Sequence, residues 1–350
     1  MQQRGPDIYS ARLRLDSVPR PPVSLSLRFL GTAASRPTVE RNVAGLAVVR
    51  DGDTLLFDCG EGTQRQMMRY GVSFSVEHIF FTHFHTDHYL GVIGLLRTMS
   101  LNGRTDPLRV YGPRGATKWM NRAESLGMDR LSFPIEVREL SPDEAVRLRG
   151  YEVRAFAAEH RGTTAVGYVL IEDTRLGRFH PDLARAAGVP EGPLWGRLHR
   201  GETVSLDDGT VVDPARLVGG SRPGRRIAIT GDTRPAATTV AAARDADLLV
   251  HEATFAEEEA VRAVETGHST AREAAAVARD AGVRRLVLTH FSARYSRDAG
   301  DLLREARELF GETVCARDGL EIIVGHADEG DDAALADSAA VGQEAVSDPG

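Results

Sequence analysis

The stretch Phe80–Gly91, FFTHFHTDHYLG, most strongly constrains this 350-residue chain, because it places four metal-ligand side chains within six residues. A β-branched and aromatic run from His78 to Thr82 leads into it and predicts a buried strand. Apolar residues at helical spacing follow from Tyr89 onward. The ligand cluster is therefore predicted to lie on a strand-to-helix loop, where α/β proteins commonly place chemistry.

Two neighbouring metal ions are the preferred interpretation of this loop. His83 and His85 alternate in an extended segment and can point the same way. Asp87 and His88 lie at the start of the predicted helix and can turn toward a second point. One ion rarely accepts four groups from so tight a loop, and the alternative is a surface cluster of polar loop residues. Imidazole with carboxylate favours zinc, with manganese or iron as further options.

Three more candidate ligands each follow an apolar strand. His160 ends VRAFAAEH, Asp232 ends RIAITGD, and His290 ends RLVLTH. A lone histidine after a strand is more often structural, but three such positions in a chain that already holds HFHTDH favour ligation. Seven ligands fit two ions with a bridging carboxylate. Such a pair can lower the pKa of a water molecule and clamp the attacking and leaving oxygens of a phosphodiester.

The rhythm of strands and helices predicts one α/β domain over residues 23–326, preceded by a flexible leader over residues 1–22. An irregular insertion interrupts that rhythm at about residues 176–216. Residues 327–350 carry seven carboxylates and no Lys or Arg, and this tail is predicted to be disordered. Without the tail the formal charge of −7 falls to zero, so composition does not exclude an RNA substrate.

The sequence predicts a cytoplasmic protein with no membrane partner. No apolar run approaches the length that spans a bilayer. The N-terminal residues lack the apolar core of a signal peptide.

Taken together, the motifs resemble those of the metallo-β-lactamase superfamily. The pattern is THFHTDH followed along the chain by His160, GDT and LTHF. Other segments resemble the ribonuclease Z family within it, over roughly residues 25–326: FLGT (Phe29–Thr32), RN (Arg41–Asn42), LFDCGEGTQRQ (Leu56–Gln66), GDTRP (Gly231–Pro235), HEATF (His251–Phe255) and GHST (Gly267–Thr270). The resemblance implies an α/β fold, the metallo-β-lactamase αββα sandwich, with a protruding arm insertion.

The resemblance also implies two Zn²⁺ per chain with assigned ligands. His83, His85 and His160 would hold one ion, Asp87, His88 and His290 the other, and Asp232 would bridge them. Asp87 is the implied general base that orients the attacking hydroxide. Glu252 and His268 match a pair that helps to protonate the departing 3′ oxygen, an acid that a poor alkoxide leaving group needs. The alternative for His268 is a simple helix-entry residue.

The implied activity is zinc-dependent endoribonucleolytic removal of the 3′ trailer from precursor tRNA, which leaves a 3′ hydroxyl on the tRNA. The insertion resembles the family's tRNA-binding arm, with Gly192, Pro193 and Arg197 as candidate substrate-binding residues, and the family commonly forms homodimers. A solvated loop with incidental arginines is the alternative for the insertion. Alternatives for the whole chain are a small-molecule phosphodiesterase and a catalytically inactive RNA-binding subunit. Two departures limit the resemblance. Thr86 in the metal motif is a mild change, whereas Val39 in the loop PTVERN leaves the preferred cleavage nucleotide open.

Overall fold

The computed structural model describes residues 24–126 and 128–327, together with the backbone of the short strand Leu335–Ala336. The described chain forms two compact units. The larger contains Ser24–Asp173 and the residues from Pro223 onward, and the smaller contains Thr174–Arg222. The predictions of a flexible leader and a disordered tail fall, apart from Ala327 and that strand, outside the described residues.

The first sheet of the larger unit has eight strands, in the spatial order β17–β16–β1–β2–β3–β4–β5–β6. Their bounds are β1 Leu25–Gly31, β2 Gly45–Arg50, β3 Asp53–Cys59, β4 Val76–Phe80, β5 Leu108–Gly112, β6 Ile135–Glu139, β16 Glu321–Ile323 and β17 Leu335–Ala336. Strands β3 to β6 pair in parallel, and the other pairs are antiparallel. The parallel strands send their carboxyl ends to one edge of the sheet.

The second sheet has seven strands, in the order β15–β14–β13–β12–β9–β8–β7. Their bounds are β7 Ala145–Leu148, β8 Tyr151–Ala157, β9 Val166–Glu172, β12 Arg226–Ile229, β13 Leu248–Glu252, β14 Leu286–Thr289 and β15 Thr313–Cys315. Strands β12 to β15 pair in parallel, whereas β7, β8, β9 and β12 pair antiparallel.

Ten α-helices lie in the described chain: α1 Thr63–Arg69, α2 Thr86–Tyr89, α3 Gly91–Leu101, α4 Ala116–Ser125, α5 Pro181–Ala186, α6 Pro193–His199, α7 Ala237–Ala243, α8 Ala260–Thr266, α9 Ala271–Ala281 and α10 Gly300–Arg307. Short 3₁₀ turns occur at Pro214–Arg216, Glu257–Glu259 and Ala293–Tyr295. The predicted helix after the loop of His83 and His85 is thus two helices, α2 and α3, which meet at Leu90. Helix α9 begins with a capping box between Thr270 and Glu273 and ends at Gly282, whose φ is 66°.

Three apolar clusters bind these layers into a sandwich. The central cluster joins inward-facing residues of both sheets, including Leu27, Phe57, Tyr168 and Ile227. A second packs the first sheet against α1, α3 and α4, and a third packs the second sheet against α7, α9 and α10. The order is therefore helix, sheet, sheet, helix, and the predicted αββα sandwich is confirmed.

The smaller unit, Thr174–Arg222, is more regular than its sequence suggests. It contains α5, α6 and a two-stranded ribbon of β10 (Val204–Ser205) and β11 (Val211–Val212). It has a small core of its own, with Ala184, Val189, Leu198, Val204, Val212 and Leu217. The expectation of an irregular insertion is therefore corrected, because elements this short show too few periods for an apolar pattern to be recognised.

A buried ionic cluster lies where the chain leaves the larger unit for the smaller one and returns. The Nε of Arg50 donates to Oε1 of Glu172 at 2.7 Å, and the Nε of Arg225 donates to Oε2 at 2.7 Å. Arg225 also donates from NH1 to the carbonyl of Val324 at 2.8 Å. The side chains of these three charged residues are 4–11% exposed. The cluster thus joins β2 of the first sheet to β9 of the second sheet and to the residue that precedes β12.

Candidate metal centre and active site

Four of the predicted ligands converge at one point of the larger unit: His83, His85, His160 and Asp232. One ligand atom from each lies within 4.8 Å of the others. The Nδ1 of His85 is 3.0 Å from Nε2 of His83 and 3.1 Å from Nε2 of His160. The Oδ2 of Asp232 is 3.6 Å from Nε2 of His83 and 3.9 Å from Nε2 of His160.

The remaining three ligands, Asp87, His88 and His290, form a second group beside the first. The Nε2 atoms of His88 and His290 are 3.2 Å apart, and the Nε2 of His290 is 3.4 Å from Oδ2 of Asp87. The Oδ1 of Asp232 is 3.2 Å from each of the two imidazole nitrogens. The two carboxylate oxygens of Asp232 therefore face different groups, as a bridging ligand requires.

Asp232 provides the test of whether these residues fit metal ions. Its Oδ1 is buried and, although two imidazole nitrogens lie 3.2 Å away, it accepts no hydrogen bond of suitable geometry among the described residues. A buried charged oxygen left without a partner costs free energy, and native structures avoid it. A cation between Asp232 and the facing imidazoles supplies the missing partner. The donor set of imidazole nitrogens and carboxylate oxygens can hold metal ions.

The candidate ligands lie beyond the carboxyl ends of strands β4, β8, β12 and β14. All are in loops except Asp87 and His88, which lie in helix α2 directly after the loop of His83 and His85, here called the histidine loop. The histidine loop lies directly against the backbone that follows β3, where two glycines leave room for it. A Cβ on Gly60 would lie 2.1 Å from the carbonyl oxygen of Asp87, and a Cβ on Gly91 would lie 1.9 Å from that of Gly60. Larger residues at either position would displace Asp87 and His88.

Four of the candidate ligand imidazoles are oriented by contacts at Nδ1, the ring nitrogen that does not face the metal centre. The Nδ1 of His88 donates to Oδ2 of Asp58 at 2.7 Å, and that of His160 donates to the carbonyl of Gly267 at 2.9 Å. The Nδ1 atoms of His83 and His290 contact the hydroxyls of Thr82 and Thr254 at 3.1 and 3.0 Å. Such contacts fix the tautomer and leave Nε2 as the ligand atom.

Sequence reasoning missed Asp58 as a member of this site. Asp58 is buried near the end of β3, and its Oδ1 and Oδ2 accept from the backbone N–H and the hydroxyl of Thr82, both at 2.8 Å. The signal was present, because Asp58 ends the apolar run LLFD much as Asp232 ends RIAITGD. A carboxylate that contacts the ligands without binding the metal does not have to lie at a fixed spacing from them in the sequence. The motif therefore does not distinguish Asp58 from a structural residue.

Glu252 and His268 form a pair at the edge of the ligand groups. The Nδ1 of His268 donates to Oε1 of Glu252 at 2.9 Å. Glu252 is 1% exposed and also accepts from the backbone N–H groups of Thr233 at 2.9 Å and Ser269 at 3.1 Å. The Nδ1 of His268 is 3.9 Å from Oδ2 of Asp232, so this imidazole lies beside the centre while its Nδ1 is engaged by Glu252.

Electrostatics in the protein without metal separate the roles of these groups. Burial lowers the pKa of His268, but the Glu252 carboxylate raises it by more, to about 9. Burial raises the pKa of Asp87, but His88 and His290 outweigh it and leave the pKa below its ordinary value. Burial and then His88 lower the pKa of His83. The Asp87 carboxylate is therefore ionised and the His83 imidazole neutral, which are the forms that bind metals.

The candidate substrate-binding residues Gly192, Pro193 and Arg197 lie in the smaller unit and are not part of this cluster. Gly192 precedes α6 with φ at 143°, a conformation suited to glycine, and Pro193 is the first residue of the helix. The Nε of Arg197 donates to Oε2 of Glu202 at 2.9 Å. Arg185 is likewise paired, with Asp182 and Glu191.

Two sheets between helices, with histidine and aspartate clusters where strands end, define the metallo-β-lactamase fold with a candidate metal centre. Residues 53–222 and 216–291 match the family model described as Beta-lactamase superfamily domain. Within the described parts of the chain, no helix combines the length and the apolar character needed to cross a lipid bilayer.

Comparisons with individual proteins show to which family within this superfamily the chain belongs. The chain is 62% identical to a Ribonuclease Z of Gemmatimonas aurantiaca over 300 residues, which is 85% of this chain and 95% of that protein. It is 55% identical to a Ribonuclease Z of Myxococcus xanthus over 299 residues, 85% of this chain and 97% of that one. The crystal structure of human tRNase Z, short form, matches with a TM-score of 0.63 and 28% identity, over 86% of this chain and 99% of that chain. The chain belongs to the ribonuclease Z family.

Proposed function

We propose that this chain is a zinc-dependent endoribonuclease that removes the 3′ trailer from precursor tRNA and leaves a 3′ hydroxyl on the tRNA. One observation carries the proposal: seven metal-ligand side chains meet beside the Glu252–His268 pair in a member of the ribonuclease Z family. The ligands suit hydrolysis of a phosphodiester, and the pair suits protonation of its leaving oxygen.

We infer that two Zn²⁺ ions occupy the centre. His83, His85 and His160 would hold one ion, Asp87, His88 and His290 the other, and Asp232 would contribute one oxygen to each. When bound, the two ions would make a water molecule more acidic and stabilise charge on the phosphodiester. Imidazole nitrogens and carboxylates are ordinary zinc ligands, and each carboxylate is ionised, as ligation needs.

Asp87 is placed to orient the attacking water and to accept its proton. Its Oδ2 accepts from the backbone N–H of Ser35 at 2.7 Å, which fixes the plane of the carboxylate. Because the neighbouring imidazoles hold its pKa below the ordinary range, the group stays ionised at neutral pH and is available as an acceptor.

His268 is placed to protonate the departing 3′ oxygen. With a pKa of about 9 its imidazole carries a proton at neutral pH, so it enters the reaction as an acid. The bond from Nδ1 to Glu252 fixes the ring and commits Nε2 to the substrate side. The buried Glu252 carboxylate stabilises the imidazolium before transfer and receives no proton itself.

The smaller unit supplies the proposed contact with tRNA, through Gly192, Pro193 and Arg197. It holds seven arginines against six carboxylates, a formal charge of only +1. The side chains of Arg185 and Arg197 are about half exposed, and exposed ion pairs are weak, so tRNA phosphates can take the place of the carboxylate partners. Homodimer formation and a cytoplasmic location stay predictions from the family resemblance and the N-terminal sequence.

The test is incubation of the purified protein with a precursor tRNA, followed by mapping of both product ends. We expect a tRNA with a 3′ hydroxyl and a trailer with a 5′ phosphate, loss of cleavage on chelation, and recovery when Zn²⁺ is added back. Elemental analysis should give about two zinc-class ions per chain. A cyclic phosphate on the tRNA product, or full activity in a metal-free preparation, would overturn the proposal.

A further inference from the structure

Arg234 lies at the meeting point of three loops that carry site residues. It follows Asp232 by two positions, and its backbone N–H donates to the carbonyl of Glu159 at 2.8 Å. In return, the N–H of Glu159 donates to the hydroxyl of Thr233 at 3.0 Å. These contacts fix the backbone of Arg234 to the segment that ends at the candidate ligand His160, and they do not involve the Arg234 side chain.

The guanidinium of Arg234 reaches the third loop, which carries His268. Its NH1 donates to the carbonyl oxygen of His268 at 2.6 Å and to Oε2 of Glu273 at 2.7 Å. Its NH2 pairs with Oε1 of Glu273, so the carboxylate is held by both arms of the guanidinium. The side chains of Arg234 and Glu273 are 22% and 27% exposed, so solvent screens this pair only in part.

Glu273 connects this contact to helix α9. Its Oε2 also accepts from the backbone N–H of Thr270 at 2.9 Å, as the N3 residue of the capping box. The loop that carries His268 is therefore attached to α9 on one side and to Arg234 on the other. Gly267, just before it, follows the end of α8 with φ at 77°, and its carbonyl accepts from Nδ1 of His160 at 2.9 Å.

These contacts fix the main chain of His268 independently of its side chain. The Nδ1–Glu252 bond sets the rotation of the ring, and the Arg234 bond to the His268 carbonyl sets the position from which the ring extends. The backbone N–H of His268 also donates to the carbonyl of Ala263 at 2.8 Å, and that of Ser269 donates to Glu252 at 3.1 Å. The Arg234 bond completes this set of contacts, which holds the main chain from which the ring extends. Displacements of a reacting side chain that begin far from the reacting atoms are known to slow chemistry strongly.

We propose that Arg234 is a positioning residue for His268, which it holds through the His268 carbonyl and Glu273. The proposal rests on the role of His268 in the function proposed above. Lysine cannot replace Arg234, because a single ammonium group cannot make the paired contact with Glu273 and reach the carbonyl as well.

A double-mutant cycle tests this inference. Single-turnover rates on precursor tRNA are measured for the wild type, Arg234→Ala, His268→Ala and the double variant. We expect His268→Ala to slow the chemical step by roughly a hundredfold or more and Arg234→Ala by roughly ten- to a hundredfold. The double variant should be no slower than His268→Ala, because Arg234 then has no ring to position. Substrate affinity should change little in either single variant.

The matched control is Arg272→Ala, which removes another arginine at the start of α9, one that pairs with Glu308. It should react at the wild-type rate. Thermal unfolding and metal content are recorded for every variant. If Arg234→Ala does not fold, the same cycle is run with Arg234→Lys, which keeps the charge but loses the paired geometry.

The outcomes separate this inference from the proposed function. A double variant slower than His268→Ala by the full factor of Arg234→Ala would show that Arg234 acts independently of His268, and the inference would be wrong. A wild-type rate for Arg234→Ala would have the same meaning. No cleavage of precursor tRNA by the wild type would instead overturn the proposed function.

Discussion

Three residues around the metal centre other than glycine have positive φ: Ser35 at 61°, Asp58 at 58° and His290 at 59°. This left-handed conformation costs roughly 1–2 kcal/mol for an ordinary residue. Each of the three also makes a contact that the site depends on. Ser35 donates to Asp87, Asp58 accepts from His88, and His290 lies in the second ligand group. The left-handed backbone conformation sets the direction of these groups, and an extended backbone at the same positions would direct them elsewhere.

At the residue scale, we predict that Asp58→Ala lowers the affinity for zinc by roughly ten- to a hundredfold. The substitution removes the acceptor for Nδ1 of His88. It also removes the partner of Thr82, whose hydroxyl contacts His83, so one candidate ligand loses its orienting contact and a second is held less firmly. Affinity is measured by titrating the metal-free protein with Zn²⁺ against a competing chelator. Asp53→Ala, at the exposed start of the same strand, should bind as the wild type does. Equal affinities in the two variants would contradict the assigned role of Asp58.

At the element scale, the smaller unit shares no residue with the candidate metal centre. None of its residues is among the seven proposed ligands, and its six-residue core involves no residue from outside Thr174–Arg222. The backbone N–H of Glu172 donates to the carbonyl of Arg225 at 3.0 Å, so the chain leaves and re-enters the larger unit at neighbouring points. A short linker can therefore replace the unit at a small cost in loop closure.

We predict that replacing Thr174–Arg222 with a short Gly/Ser linker leaves the metal centre assembled. Hydrolysis of a small chromogenic phosphodiester, if measurable in the wild type, should persist at a similar rate. Affinity for precursor tRNA should fall, and its dependence on salt should become shallower, because fewer counterions are released on binding. Both substrates are measured on one preparation, together with its metal content.

Loss of both activities in the linker variant would indicate a folding defect. The variant Arg197→Ala then serves as the second test, because it keeps the smaller unit in place. That single substitution should weaken tRNA binding and leave the small substrate unaffected. Unchanged tRNA affinity and salt dependence in both variants would remove the smaller unit from recognition and favour a small-molecule phosphodiesterase.

At the scale of the whole molecule, the buried cluster of Arg50, Glu172 and Arg225 makes stability depend on pH. Burial raises the pKa of Glu172, but its hydrogen bonds to the two arginines outweigh this and lower the pKa from 4.5 to about 2. A carboxylate with a lowered pKa stabilises the folded state above its unfolded pKa and loses that contribution as pH falls toward the folded pKa. The free energy of unfolding should therefore fall by about 3 kcal/mol between pH 4.5 and pH 2.

We predict that Glu172→Gln removes this part of the acid sensitivity. Chemical denaturation at a series of pH values should show the wild type and Glu172→Gln furthest apart near neutral pH and converging as the pH falls below 4.5. Glu152→Gln, which loses a more exposed pair with Arg154, serves as the control and should follow the wild type. A constant difference in unfolding free energy across this range would refute the linkage.

The sequence predicted much of this molecule where local pattern and chemistry coincide. Apolar runs such as RIAITGD and RLVLTH predicted both the strands and the ligands that follow them. Helices α7 and α10 were not predicted, because they have only seven and eight residues, about two turns each, which is too few for an apolar period to be recognised. The cluster around Glu172 could not be predicted, since Arg50 lies 122 positions away and Arg225 lies 53 away. Nothing in the local sequence indicates which distant arginine a buried glutamate will contact.

The neighbouring chain crossings at Glu172 and Arg225 bear on how such proteins change over generations. The gene segment that encodes residues 174–222 can be lengthened, shortened or exchanged while the residues on either side of it keep their positions in the folded protein. The seven candidate ligands and the proposed acid–base residues are all encoded outside that stretch. Selection can therefore alter the proposed RNA contact of the smaller unit while the proposed hydrolytic residues are inherited unchanged.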